Sequence, residues 1–316
     1  MAAKPASRRL AATAQAQPTL NTGVVTAAHG RHYIVELADG TSRQCFTRGK
    51  KSDVAVGDGV EIQFQGEAEG VIQAIQPRRN LLYRSDEQRS KLFAANLDQL
   101  LLVIAGEPPF SSELLGRALV AAHSVDITPI ILLNKADLPE STARAKNQLQ
   151  ALTGAEPPLT LEVSAQDADD LRTRLGPLLA GRRSLLLGQS GMGKSTLLNA
   201  LVPDAGAATQ THSVALDAGR HTTTHTRLYH LPDNGGELID SPGFQNFGLA
   251  HLSAEQVVQG FPAFTAHIAN CRFYNCTHRH EPGCGVLAAL AEGTVPEAQH
   301  KLYERILLEN EAAQRY

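Results

Sequence analysis

The alternation of apolar and polar positions divides the chain into parts with different predicted structure. Between residues 21 and 80, apolar side chains recur at every second position in short segments such as HYIVEL and GVEIQF, and Gly-containing turns separate these segments. A period of two is typical of β-strands that are buried on one face. Five such strands in about 60 residues predict a small closed barrel of the oligonucleotide-binding type, the OB-fold.

From 81 to 248 the pattern changes to continuous apolar runs that alternate with helical stretches. The runs DQLLLVIA, PIILLN, LTLEV, SLLLG and ELID indicate strands buried on both faces, and their alternation with helices predicts an α/β domain with a parallel sheet. From 249 to 316 we predict helices around a cluster of cysteines and histidines, in a small module too poor in apolar residues to fold readily without help. The predicted fold class is therefore multidomain.

Composition and charge exclude several functional classes. With 42% hydrophobic residues among 316 and a net charge of −3, the chain can form two or three folded domains and is not a generally basic nucleic-acid binder. Its longest apolar run, Leu100 to Ala105, is far shorter than the roughly 18 residues that a membrane span needs. Four cysteines are too few to crosslink a chain of this length, so we expect a reducing compartment, the cytoplasm.

Two basic segments each have two explanations. Residues 1–20 contain Lys4, Arg8 and Arg9 and no acid, which predicts a disordered basic arm or, alternatively, an organellar transit peptide. Basic residues also flank the third predicted strand, where they form either a positive rim that reaches phosphates or a solvated loop. They are Arg43, Arg48, Lys50 and Lys51.

The segment GQSGMGKS fits the phosphate-loop pattern G-x-x-x-x-G-K-[ST], and it lies between a predicted strand and a predicted helix, as that motif requires. Its backbone N–H groups are expected to surround phosphate oxygens. Lys194 is predicted to reach the β- and γ-phosphates, and the Ser195 hydroxyl is predicted to ligate Mg²⁺. The remaining residues of this predicted site are Gly188, Gln189, Ser190, Gly191, Met192 and Gly193.

A second motif predicts which base is bound. The strand PIILLN ends in Asn134-Lys135-Ala136-Asp137, an arrangement typical of a guanine pocket. The carboxylate of Asp137 can accept hydrogen bonds from N1–H and the exocyclic amine of guanine, whereas adenine would leave that acceptor unpaired. Asn134 is expected to brace the pocket, and the stem of Lys135 to lie over the ring. Ser164 and Ala165, after the strand LTLEV, are expected to support the base from the other side.

The segment DSPG, after the strand ELID, predicts the γ-phosphate end of the site. Asp240 is expected to hold Mg²⁺ through water, and the Gly243 amide to meet the γ-phosphate. In the polar segment GRHTTTH, Thr222 and Thr223 are the favoured threonines to close on Mg²⁺ and the γ-phosphate. The sequence does not decide between them, and Thr222 is taken as the Mg²⁺ ligand.

The predicted catalytic residues are Lys194, Asp240 and His221. Phe244 follows D-x-x-G at the position where many GTPases place a glutamine that orients the attacking water. An apolar ring cannot orient water, so His221 is the candidate to do so, although a surface-loop histidine is the alternative. We therefore expect slow intrinsic hydrolysis that accelerates when a partner orders this loop.

The order of the motifs along the chain is unusual. The base-reading segment at 134–137 precedes the phosphate loop at 188, whereas most GTPases begin with the phosphate loop. A circularly permuted sheet keeps the same site because strand ends, and not chain order, define it. The γ-phosphate segment then leads within a few residues into the C-terminal module.

That module contains Cys271, Cys276, His278 and Cys284 with the spacing C-x₄-C-x-H-x₅-C. Three thiolates and one imidazole predict a closed, tetrahedral, structural Zn²⁺ site, in which His267 or His280 could replace His278. Cys45 is distant in sequence and is expected to be a small core side chain. Other residues interleave with the ligands in a mixture that suits either RNA contact or simple packing. They are Arg272, Phe273, Tyr274, Arg279 and His280.

These motifs, with the segments PRRNLLYR and AANLDQ, resemble the bacterial ribosome small subunit-dependent GTPase A family over about residues 21 to 310. The resemblance implies a barrel (21–80), a circularly permuted GTPase domain (81–248) and a zinc module (249–316), which dock on the small ribosomal (30S) subunit late in its maturation. It implies GTP hydrolysis stimulated by that subunit. It also assigns nucleotide contacts to residues 134–137 and to Gly188 through Thr196, and zinc to the three cysteines and His278.

Three functions are compared. The first is a GTP hydrolase that acts as an assembly switch, with GTP, GDP, the 30S subunit and its rRNA as partners, Zn²⁺ and Mg²⁺ as cofactors, no membrane and a monomeric chain. The second is an RNA-binding adaptor in which nucleotide only toggles affinity. The third, a small-molecule kinase, conflicts with the guanine-reading motif and the permuted order.

Overall fold

The computed structural model describes residues 20–49, 53–85, 90–154, 157–206, 226–241 and 248–313. It contains a closed five-stranded barrel, an α/β domain and a C-terminal helical module, so the predicted fold class is confirmed. No helix within these ranges is long and apolar enough to cross a membrane.

Five strands close the barrel. The first strand pairs with both the second and the fourth, and the third runs parallel to the fifth, so the order around the barrel is 1-2-3-5-4. Alternate side chains such as Val35, Cys45 and Ile62 point inward and are fully buried. The strands are β1 (Leu20–His29), β2 (His32–Leu37), β3 (Ser42–Thr47), β4 (Gly59–Gln65) and β5 (Glu69–Ile75).

A two-stranded hairpin, β6 (Leu81–Ser85) and β7 (Ser90–Ala95), connects the barrel to the α/β domain and was not predicted from the sequence pattern. The strands that follow are β8 (Gln99–Ala105), β9 (Thr128–Asn134), β10 (Leu159–Glu162), β11 (Arg183–Gly188), β12 (Arg227–His230) and β13 (Glu237–Asp240). The helices are α1 (Ser112–His123), α2 (Pro139–Thr153), α3 (Ala168–Leu179) and α4 (Lys194–Leu201).

The central sheet has the order β10-β9-β8-β11-β13, and all of its neighbouring strands are parallel. Every residue of β8 is buried, as are all but the first of β9 and of β11. Continuous apolar strands are expected where helices cover both faces of a sheet, so burial explains the pattern seen in the sequence.

The barrel and the central sheet are joined by hydrogen bonds between strands. Strand β12 pairs antiparallel with β13, and it also pairs with β1 of the barrel at Ala27 and Arg227. One continuous sheet of eleven strands therefore runs from the α/β domain into the barrel. The sequence pattern did not predict this connection.

From residue 249 to 313 the chain forms four helices and no strand. Tyr303 and Phe264 are fully buried between them, and the side chain of Arg117 on α1 binds Glu309 at 2.7 Å and Glu113 at 3.0 Å. The last helix packs on α1 and α2, so the module shares one core with the α/β domain. The helices are α5 (Ala254–Gln259), α6 (Pro262–Ile268), α7 (Gly285–Ala291) and α8 (Glu297–Ala313).

The end of the barrel that faces the α/β domain is held by a buried carboxylate. Asp58 is fully buried, and Arg78 donates to both of its oxygens, at 2.6 and 2.7 Å, while the Ala55 N–H donates at 2.8 Å. The neighbouring Gly57 carbonyl accepts from Arg183 of β11 at 2.6 Å. Asp58 thus fixes the segment that connects the two domains.

We expect Asp58→Asn to destabilise the protein by about 3 kcal/mol, because the neutral amide would leave the positive charge of Arg78 without its buried counter-ion. Urea unfolding followed by circular dichroism measures this loss. Asp169→Asn is the control, since that side chain is 98% exposed and its ion pair should contribute less than about 1 kcal/mol. Equal midpoints for both variants would contradict the assignment.

Candidate functional site

The predicted motifs lie at one edge of the central sheet. Strands β9, β11 and β13 end at Asn134, Gly188 and Asp240, and β10 ends two residues before Ser164. Because these strands are parallel, their carboxyl ends share an edge. Ligands of open α/β sheets bind at this edge, whatever the order of the strands along the chain.

The phosphate loop, residues 188–195, connects β11 to α4. Gly191 and Gly193 have φ of +82° and +87°, in the left-handed region that favours glycine. A Cβ at Gly193 would lie 2.2 Å from Asn134 Nδ2, so this position needs glycine for space as well. The loop leads directly into the first turn of α4, where Ser195 and Thr196 are half-buried and backbone N–H groups favour an anion.

Asn134 joins the two halves of the site. Its side chain is buried, and its Nδ2 donates to the Met192 carbonyl of the phosphate loop at 2.8 Å. Its Oδ1 accepts from the Ala165 N–H at 2.9 Å. The single amide therefore connects the end of β9, the phosphate loop and the loop after β10.

Asp137 and Ser164 are in direct contact. The Ser164 hydroxyl donates to Asp137 Oδ1 at 2.7 Å, and the Ala136 N–H donates to the Val163 carbonyl at 3.1 Å. The serine fixes one oxygen of an exposed carboxylate, which leaves the other oxygen able to accept from a ligand. This arrangement can read the two adjacent donors of guanine.

Lys194 and Asp240 meet at the opposite end of the edge. Lys194 Nζ donates to Asp240 Oδ1 and, at 2.8 Å, to the Ser241 carbonyl. The two side chains are only 9% and 3% exposed. An ammonium that could bind phosphate and a carboxylate that could bind Mg²⁺ therefore occupy one corner, an arrangement suited to phosphoryl transfer.

The loop between β8 and α1 also lines the site, which sequence reasoning missed. The Glu107 carbonyl accepts from Lys135 Nζ at 2.8 Å, and the Ser111 N–H donates to Gln189 Oε1 at 2.7 Å. The sequence pattern held no signal for this, because the loop reaches the edge through the position of β8 between β9 and β11, which the folded sheet sets.

Several predicted residues cannot be located. His221, Thr222, Thr223, Gly243 and Phe244 lie outside the described residues. Their roles stay predictions.

Of the basic residues predicted to form a positive rim on the barrel, Arg43 is engaged in contacts within the barrel. Arg43 donates to the Gly66 and Glu67 carbonyls at 3.1 and 2.5 Å, and its guanidinium lies 3.8 Å from the centre of the Phe64 ring. This arginine is therefore engaged with Phe64 and with the turn between β4 and β5. Arg48 is exposed, while Lys50 and Lys51 lie outside the described residues.

The second site is the cluster of Cys271, Cys276, His278 and Cys284, whose ligand atoms all lie within 4.8 Å of one another. The sulfurs of Cys271 and Cys284 are 3.9 Å apart, and each is 3.5 Å from His278 Nδ1. A tetrahedral zinc ion would require about 3.8 Å between sulfurs and about 3.6 Å between sulfur and nitrogen. The cluster could therefore hold a metal ion, and neither His267 nor His280 belongs to it.

A metal ion that binds this cluster would have to displace protons from its thiols. Burial raises the pKa of the Cys276 thiol to about 12, and the neighbouring Cys284 and Cys271 sulfurs add to the rise, although a hydrogen bond from the His278 backbone opposes it. Three thiolates in this volume would repel one another, so a metal ion must displace their protons on binding. By contrast, burial alone explains why the pKa of the barrel residue Cys45 rises to about 11.

Comparison with known proteins gives consistent results. The model of the RsgA GTPase family matches residues 75–250. The small ribosomal subunit biogenesis GTPase RsgA of Bordetella pertussis is 63% identical over 294 residues, which cover 93% of this chain and 98% of that protein. The protein of the same name from Burkholderia pseudomallei is 56% identical over 289 residues, 91% of each chain.

Two solved structures have the same architecture. YjeQ from Thermotoga maritima matches with a TM-score of 0.69 and 27% identity over 92% of this chain and 99% of its own. YloQ, described as a circularly permuted GTPase, matches with a TM-score of 0.65 and 29% identity over 93% of this chain and 96% of its own. The permuted order of strands is therefore shared with solved proteins.

We expect Asn134→Ala to weaken GTP binding by about 10-fold or more, because the Met192 carbonyl and the Ala165 N–H would both lose their partner. Titration with a fluorescent GTP analogue measures the affinity. Asn310→Ala is a matched control, since this buried amide on α8 also makes two hydrogen bonds, both donated, to the Leu249 and Leu252 carbonyls. Equal losses of affinity would mean that general destabilisation, and not the site, is responsible.

Proposed function

This chain belongs to the RsgA GTPase family and is a GTPase of ribosome biogenesis, and from that premise we propose that it acts as a switch on the maturing small ribosomal subunit. In this proposal it binds the 30S subunit and its rRNA late in assembly, hydrolyses GTP to GDP and phosphate with stimulation by the subunit, and leaves afterwards. It works in the cytoplasm as a monomer. The observation that supports this function best is the meeting of Asp137, Asn134 and the phosphate loop at one sheet edge.

The proposed reaction depends on the position of Lys194, which lies beside Asp240. Its ammonium contacts the β- and γ-phosphates and neutralises the charge that develops as the terminal bond breaks, while backbone N–H groups of residues 188–195 hold the other oxygens. The residues that would hold Mg²⁺ are Asp240, Ser195 and Thr222. All three offer the oxygen ligands that this ion prefers. Mg²⁺ supplies further neutralisation of the phosphates.

We further propose that His221 positions the attacking water and that the Gly243 amide meets the γ-phosphate. Thr223 completes the closure of that segment over the nucleotide. Because Phe244 replaces the usual glutamine, the free enzyme is slow, and the subunit accelerates it by ordering the segment that carries His221.

The domain division that we propose is an arm at 1–20, an RNA-binding barrel at 21–80, the permuted GTPase domain at 81–248 and the zinc module at 249–316. The sheet that joins β12 to β1 supports a barrel whose position is tied to the GTPase domain. The metal of the module is proposed to be one structural Zn²⁺, because four soft ligands leave no open position for a substrate.

We predict that purified 30S subunits raise the GTP turnover of the purified protein by about 100-fold, which corresponds to a barrier lower by about 2.7 kcal/mol. Phosphate release with and without subunits measures this turnover, with ATP as the inactive control. Subunits that bind without stimulation would favour the adaptor instead.

Asp137→Asn should lose this activity with GTP and recover it with xanthosine triphosphate, because the donor and acceptor of the pair are exchanged.

The zinc assignment predicts one zinc ion per chain by elemental analysis. Cys271→Ser should lose the ion and the compact fold of residues 249–316, as seen by limited proteolysis, while GTP affinity stays largely unchanged because the nucleotide site lies elsewhere. Cys45→Ala is the control and should retain the ion, since that cysteine is buried in the barrel. Stoichiometric zinc in Cys271→Ser would contradict the proposal.

A further inference from the structure

The C-terminal module exposes two aromatic rings side by side. In the described part of the chain, Phe273 is 41% exposed and Tyr274 is 103% exposed, and the other large apolar side chains of comparable exposure are isolated leucines. Both rings lie in the short loop between the first two cysteines of the cluster. We call residues 272–275 the knuckle tip, and all four are exposed.

The knuckle tip has a defined shape. The Arg272 N–H donates to the Gly283 carbonyl at 2.9 Å, and the Cys276 N–H donates to the Phe273 carbonyl at 3.3 Å, which closes a turn. The Arg272 guanidinium lies 5.5 Å from the centre of the Phe273 ring. The backbone of the loop is therefore fixed on folding, so a partner does not have to order it.

The charged side chains of the segment that carries the knuckle tip are all basic. Residues 271–280, CRFYNCTHRH, contain no acid. The next residue, Glu281, is turned inward, since its oxygens accept from the Thr277 hydroxyl and N–H and from the Arg279 N–H. Arg272 is exposed without an ion pair in the described part of the chain, so the tip presents a cation beside two rings.

We propose that the knuckle tip binds RNA by stacking the Tyr274 ring on an unpaired base, with Arg272 contacting a neighbouring phosphate. An exposed ring offers its faces to a base, every base has a π-face, and the exposed guanidinium of Arg272 attracts the backbone phosphates. This inference rests on the proposed function, which makes the RNA of the small subunit the partner. A protein partner is the competing occupant that the test must exclude.

The first measurement is the affinity of the full-length protein for purified 30S subunits in the presence of a slowly hydrolysed GTP analogue. Tyr274→Ala should weaken binding about 10-fold, because one stacked base is lost, while Tyr274→Phe, which keeps the ring, should stay within about twofold. Leu308→Ala, a 57% exposed residue of α8, is the matched control and should bind normally. Zinc content and GTP affinity of each variant confirm that it is folded.

The second measurement identifies the class of partner. The chain contains no tryptophan, so Tyr274→Trp introduces a single fluorophore at the tip. Oligoadenylate should quench it by stacking, and should leave the fluorescence of Leu308→Trp unchanged.

The outcomes separate the two proposals. If the unmodified protein binds subunits and Tyr274→Ala binds equally well, the knuckle tip proposal is wrong and the proposed function stands. If Tyr274→Ala weakens binding and oligoadenylate does not quench Tyr274→Trp, a ribosomal protein occupies the tip and the RNA assignment is overturned. If the unmodified protein does not bind subunits, the proposed function fails and this inference with it.

Discussion

One buried amide, that of Asn134, holds together the edge of the sheet that carries the candidate site. It connects the phosphate loop through Met192 to the loop after β10 through Ala165. A neutral hydrogen bond contributes only about 1 kcal/mol net, but two main-chain groups left unpaired would cost more. Gly193 admits the amide because any Cβ there would collide with it. The distance between the phosphate loop and the segment at 134–137 with its partner loop after β10 therefore depends on this side chain.

The permuted order changes what the site is attached to. Arg227 of β12 pairs with Asp240 on one side and with Ala27 of the barrel on the other. The strand that follows the predicted threonine segment is thus hydrogen-bonded both to the γ-phosphate end of the site and to the barrel. A displacement of the barrel must shift or break this ladder. The ends of the parallel strands place the candidate site at one edge of the sheet whatever the chain order. Because β12 pairs with β13 at that edge and also with β1, the barrel is hydrogen-bonded to the strands that carry the site.

The barrel, the central strands and both candidate sites could be located from the sequence. Burial on one face of a strand produces alternation of apolar and polar residues, and burial on both faces produces a continuous apolar run, so both kinds of strand leave a visible pattern. The sequence did not reveal β12 or the hairpin β6–β7, which are short and depend on partners distant in the chain. Spacing also left three histidines as candidates for the metal cluster. His278 is the one that joins it, and its left-handed backbone, with φ of +55°, is set by the folded loop and not by the pattern of residues.

The C-terminal module is attached on one side of the site and packed on the other. The chain enters it after β13, at the γ-phosphate end, whereas α8 rests on α1 and α2, which follow β8 and the base-reading β9. Arg117, 5% exposed, binds Glu309 of α8, and removal of Glu309 would leave this buried guanidinium with Glu113 as its remaining acidic partner. Helix α1 begins beside Ser111, whose N–H holds Gln189 of the phosphate loop. The module is therefore connected to both ends of the sheet edge that carries the candidate site, along the chain on one side and through α1 on the other.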